Sequence, residues 1–135
     1  MDPAVSEAKF TREVETLRGL PHFCGGGWSL VSAAYPELVI ELPHPSGVRR
    51  RFRLRCEDWD ESPPSVATLG PDGGRVNEPE GSSWGNLSTG WGLCAPGTRE
   101  YHAHHGENPW LNYRARTSLA VVITTIFDFY RRSRG

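Results

Sequence analysis

Long hydrophobic runs are missing from this 135-residue chain. The longest, Leu119 to Ile123, gives way to Thr124 and Thr125. It falls far short of the ~20 apolar residues that a membrane-spanning helix needs. The opening Met1-Asp2-Pro3-Ala4 is acidic and carries no apolar segment, so no secretory leader and no membrane partner are expected. Charge of one sign is missing too. A formal net charge of -1 leaves no overall basic footprint for nucleic acid. The two local basic clusters, Arg49-Arg50-Arg51 and Arg131-Arg132 with Arg134, read as solvated ends of a strand and of the chain. Cysteine is scarce. Cys24, Cys56 and Cys94 are odd in number and irregular in spacing, which argues against a disulfide framework and for a reducing cytoplasm. There each thiol is either a small buried hydrophobe or a reactive group.

What is present fits one domain spanning 1–135, with a core over about 6–132. A chain of this size buries roughly two-thirds of its unfolded surface, so neither a disulfide nor a metal is required to complete the core. Residues 6–19 predict an amphipathic helix, because Phe10, Val14 and Leu17 share one face. Ser6 stands at the N-cap position, and Gly19 with Pro21 supplies the stop. Strands are expected over Trp28 to Ala33, Leu38 to Leu42, Arg51 to Cys56 and Ser65 to Leu69. In the third, Phe52, Leu54 and Cys56 alternate with Arg51, Arg53 and Arg55, the pattern of a sheet with one buried face. Short connections such as Tyr35-Pro36 and Pro43-His44-Pro45-Ser46-Gly47 make the strands an antiparallel meander. Gly70 to Asn108 is long, rich in Gly and Ser, and without clear periodicity. A compact domain rarely keeps such a segment without using it. Arg116 to Arg132 closes the chain as a helix with a wide apolar stripe of Leu119, Val122, Ile123, Ile126, Phe127 and Tyr130. The fold class is therefore α+β: N-terminal helix, four-stranded antiparallel meander, long functional loop, C-terminal helix.

Three groups of residues carry a resemblance. Arg51-Phe52-Arg53-Leu54 leads to Asp58-Trp59, then Ser62-Pro63-Pro64, then Val66. In Trp84-Gly85-Asn86 the asparagine lies eight positions before Cys94, with Gly90, Gly92 and Leu93 between them. Asn108-Pro109-Trp110 precedes the last helix. Together these are similar to the ubiquitin-conjugating (UBC) family: its amphipathic strand, aromatic turn and Pro-Pro pair, its asparagine eight positions before the catalytic cysteine, and its tryptophan ahead of the next helix. Trp59 stands where the family has tyrosine. The histidine and proline of the family's His-Pro-Asn triplet are absent, the segment between Cys94 and Trp110 is longer, and the last helices of many eukaryotic members are missing. That trimmed form resembles the prokaryotic relatives of the fold, found in operons with an activating enzyme, a ubiquitin-like protein and a metalloprotease-type deconjugase. The resemblance implies these three as partners, implies no cofactor, and implies a cytoplasmic transferase.

It also implies a chemistry. Cys94 would take a ubiquitin-like protein as a thioester from the activating enzyme and yield it to a target nucleophile. Both steps pass through an oxyanion, and Asn86 is the expected amide donor; losing such a donor costs ~10²–10³ in rate. Cys94 is flanked by Gly92 and Ala95-Pro96-Gly97, a setting for an exposed thiol, whereas Cys56 lies on the inward alternation of a strand and Cys24 has no flanking pattern. His102, His104 and His105 follow Cys94 closely and admit three readings. They assist the thioester chemistry as bases, or His102 and His104 join Cys94 on a metal, or they are a polar loop. A thiolate locked on a metal would not carry an acyl group. Two other functions stay open at this point: a non-catalytic UBC-like binding module, and a small metal-binding protein built on Cys94, His102, His104 and His105.

Overall fold

The structure is a computed structural model that describes residues 1–76, 84–87 and 90–134, and for 84–87 and 90–93 the description covers the backbone. Helix α1 runs over Pro3–Arg18. It starts three residues earlier than the apolar spacing predicts, because Asp2 caps it: the Asp2 carboxylate accepts from the Ala4 amide, and Pro3 sits at the first helical position. Ser6 is instead a buried residue one turn inside, hydrogen-bonded to the Tyr35 hydroxyl at 2.9 Å. Phe10, Val14 and Leu17 form the buried face.

Four strands follow: β1 (Ser29–Ala34), β2 (Glu37–Pro43), β3 (Arg49–Arg55) and β4 (Ser65–Leu69). They pair antiparallel in the order β1-β2-β3-β4, the predicted meander. Leu38 lies opposite Leu54, Ile40 opposite Phe52, and Leu54 opposite Val66. All five residues are fully buried, so the period-two pattern puts one set of side chains on one face. On the other face the arginines meet acids: Arg49 and Arg51 pair with Glu41, and Arg55 with Glu57 and Glu37.

Residues 84–87 and 90–93, expected as loop, form a second, two-stranded sheet of β5 (Trp84–Leu87) and β6 (Gly90–Leu93). Strand β6 lies beside β4. Two short helices follow, α2 (Arg99–His104) and α3 (Trp110–Arg114), and then α4 (Leu119–Arg132), capped by the Ser118 hydroxyl. Leu119, Val122, Ile123, Ile126 and Tyr130 of α4 join Phe10, Val14 and Leu17 of α1 in the same core cluster as the inward face of the sheet. The helices at the two ends of the fold thus cover one face of the meander. Each such buried Leu, Ile or Phe contributes about 1.5–3 kcal/mol of apolar burial.

Two polar ties join this scaffold to the segment after β3. Glu13 of α1 accepts from Trp59 Nε1 at 2.5 Å and from the Leu119 amide at 2.7 Å, which fastens the start of α4. Asp60 pairs with Lys9 at 3.0 Å and with Arg114 at 3.1 Å, and its carbonyl accepts from Trp110 Nε1 at 2.9 Å. Helix α3 is therefore docked on the Trp59-Asp60 segment. No helix among the described residues is long and apolar enough to cross a membrane.

Candidate active site

Cys94 stands one residue past the end of β6, half-buried. The chain then turns sharply. Ala95 is fully buried, Gly97 has φ +99°, and Thr98 caps α2 by accepting from the Tyr101 amide at 3.2 Å. The left-handed φ makes residue 97 a glycine position. The Arg99 amide donates to the Pro64 carbonyl at 2.8 Å, so the Pro63-Pro64 turn forms one wall of the loop.

Helix α2 ends at His105, and this places the imidazole over the thiol. His105 Nε2 lies 3.8 Å from Cys94 Sγ, within hydrogen-bond reach for sulfur. On the other side of the ring, Nδ1 is 2.9 Å from Glu107 Oε1. A carboxylate can only accept there, so Nδ1 carries the proton and Nε2 offers its lone pair to the thiol. The Tyr101 ring stacks on the imidazole at 4.1 Å and 15°, which holds its plane. Thiol, imidazole and carboxylate thus stand in one row, an order that nucleophilic catalysis can use.

The environment keeps the thiol protonated at rest. Burial, and then the neighbouring Glu100 carboxylate, push Cys94 above the ordinary thiol value. A base within reach is what such a thiol needs in order to attack. Glu107 is held below the usual carboxylate range by its own backbone amide and then by His105. It is largely exposed, so its hold on the imidazole is screened by solvent.

The three histidines part company here. His105 faces Cys94. His102 is a strut: its Nε2 accepts from the Gly97 amide at 3.1 Å, its Nδ1 donates to the Asn108 carbonyl at 2.9 Å, and its ring packs on Trp110 and Tyr113. Both nitrogens are engaged with backbone, which leaves neither for a metal. His104 is exposed on α2. Among the described residues no group of three or more His, Cys, Asp or Glu is arranged to hold a metal ion, so Cys94, His102 and His104 are not brought together as a ligand set.

Asn86 sits on β5 with its Cα opposite Trp91, three positions before Cys94. At about 3.3 Å per residue that is about 10 Å along the strand. Its side chain lies outside the described residues. Cys56, one residue past β3, is fully buried and pushed far above the ordinary thiol range by desolvation, then by Glu13 and Glu57. Cys24 is exposed and donates to the Arg18 carbonyl at 3.0 Å. The basic cluster at the chain end is satisfied locally: Arg131 and Arg132 both pair with Asp128.

Two site residues escaped sequence reasoning. Glu107 follows His105 by two positions, and a His-x-Glu spacing beside a candidate thiol is the signal that would have found it. Glu100 is a charged residue that turns out to be buried, with no local pattern to announce it. No family model matches the chain, and no curated protein matches it at a significant level.

Proposed function

We propose that this protein is an acyl carrier of the ubiquitin-conjugating type, working in the cytoplasm. Cys94 accepts the C-terminal acyl group of a ubiquitin-like protein from an activating enzyme and passes it to an amine. The observation that carries the reading is the row Cys94 Sγ, His105 Nε2, Glu107 Oε1, at 3.8 and 2.9 Å, on a half-buried loop at the sheet edge. The helix, meander and helix order supports the UBC type, and so do the turn residues Trp59, Pro63 and Pro64 beside the loop.

In the first step His105 Nε2 takes the Cys94 proton as the sulfur attacks the incoming thioester carbonyl. The tetrahedral intermediate collapses with loss of the activating enzyme's thiolate, which takes up the proton. In the second step an amine attacks the Cys94 thioester, His105 takes the amine proton, and the Cys94 thiolate leaves. A positioned base of this kind contributes ~10²–10⁴ in rate. A thiol kept protonated between transfers is protected from indiscriminate reaction, which suits a carrier.

A second reading has one observation in its favour. The same cysteine, histidine and carboxylate row also serves thiol hydrolases, where water rather than an amine takes the acyl group. Incubation with the activating enzyme, the ubiquitin-like protein and ATP separates the readings. The carrier yields a reductant-sensitive adduct that is absent in Cys94→Ala and is discharged faster by added lysine than by water. Rapid hydrolysis indifferent to lysine favours the hydrolase. The absence of both an adduct and accelerated hydrolysis, with an activating enzyme of verified activity, overturns both readings.

A further inference from the structure

Glu100 is the least explained polar group near Cys94. It lies in the first turn of α2 and is 8% exposed. One carboxyl oxygen is spoken for: Oε1 accepts from the Ser65 hydroxyl at 2.8 Å and from the Val66 amide at 3.0 Å, both on β4. The other, Oε2, is buried with no hydrogen-bond partner among the described residues. An ionised carboxylate with a bare buried oxygen is costly, and the neutral acid relieves that cost. The same two contacts join α2 to the edge of β4. Helix α2 ends at His105, so whatever fixes α2 also fixes the base against the thiol.

We propose that Glu100 is the positioning residue of the Cys94 site, a carboxyl that pins α2 to β4 in its neutral form and, when ionised, holds the Cys94 proton in place. Among the described residues the groups around it are few. Arg99 on its own helix is the nearby cation, and it in turn reaches Glu57 at 3.6 Å. Strand β4 presents the neutral Ser65 and Val66. Helix α2 also packs against β6, whose end carries Cys94, so the thiol is the titrating group near it. Desolvation moves Glu100 upward, against its hydrogen bonds and Arg99, so its charge appears at a pH higher than that of an ordinary glutamate. Above that pH two negative charges would have to coexist at the site if the thiol ionised, and the thiol gives way.

This rests on Cys94 being the reacting thiol of the proposed carrier, but the test needs no partner protein. The rate of Cys94 alkylation by iodoacetamide is followed against pH in the wild type and in Glu100→Gln. Glutamine keeps an acceptor for Ser65 and Val66 and never ionises. Glu100→Gln should alkylate about two- to five-fold faster on the rising limb, with the profile moved to lower pH, as removal of one neighbouring charge requires. The alkylation pH profile is the readout that a merely structural role would not move, and thermal stability reports the ionisation of Glu100 itself. The raised carboxyl favours the wild-type fold below the ordinary glutamate value, and that advantage is lost as pH rises through the folded value. The melting temperature of wild type relative to Glu100→Gln should therefore fall with pH across this window. In unmodified protein, the Glu100 carboxyl ¹³C resonance should titrate above those of the exposed glutamates. Superimposable alkylation profiles, parallel stability curves or a Glu100 resonance titrating with the rest would each overturn the assignment. A failure to charge with a ubiquitin-like protein would be a separate result.

Discussion

Two cysteines each stand one residue past the end of a strand, and the two ends of sheet treat them in opposite ways. Cys56 follows β3, in the middle of the meander, and is 0% exposed in the core cluster. Cys94 follows β6, in the small outlying sheet, and is half-buried under His105. Desolvation raises both thiols, but among the described residues the second alone has an imidazole within hydrogen-bond reach, and it is partly open to solvent. Sulfur chemistry is therefore decided by the neighbourhood that the fold builds and not by the residue.

Substitution of the thiols should separate them most sharply. Cys94→Ala is expected to abolish thioester formation and leave the melting temperature within a few degrees of wild type. Cys56→Ala should retain charging and lose about 1–2 kcal/mol of stability from the cavity, read by urea denaturation. Loss of charging in folded Cys56→Ala would break the comparison.

The base comes next. His105→Ala should slow discharge of the thioester to lysine ~10²-fold or more in a single-turnover assay. His104→Ala should be silent. His102→Ala should act through folding, since it frees the Gly97 amide and the Asn108 carbonyl at a cost of about 1–3 kcal/mol. Equal kinetic effects in all three, with stability unchanged, would remove the distinction between base and strut.

The support under the site gives a pH prediction. Burial raises the Asp60 carboxyl, but Lys9 and Arg114 more than offset it and hold it below the usual range. Its contribution to stability is present above the ordinary aspartate value and is lost as pH falls through the folded value. Asp60→Asn should cost about 1–3 kcal/mol at neutral pH and less in acid, read from urea midpoints at both pH values. An unchanged difference across pH would mean that the ion pairs contribute nothing.

The smallest effect is expected at Asn86. A true oxyanion donor would cost ~10²–10³ in rate when removed. Its register, three positions from Cys94, points to less than about ten-fold in the discharge rate of Asn86→Ala. A loss above a hundred-fold would show that its side chain reaches the reacting carbon after all.

The same contrast explains what could be read in advance. The meander and α4 were legible because burial on one face writes a period of two or of 3.6 into the chain, as at Phe52 and Leu54 or Val122 and Ile126. Strands β5 and β6 were not, because four-residue strands with Gly85, Gly90 and Gly92 carry no such period. Helix α2 is held by Thr98, Glu100 and His102 and not by an apolar stripe, so only its histidines attracted notice. The partial exposure of Cys94 was legible from its flanking glycines. Which histidine stands beside it was not, because His102 and His105 differ only in which way the turn of α2 faces them.

The central claim is that the acyl group resides on the Cys94 sulfur. Peptide mapping of the charged protein, digested in acid without reductant, measures this directly. The account predicts the added mass on the peptide containing Cys94, with Cys24 and Cys56 still free. The mass on Cys24, or on no cysteine at all, would contradict it.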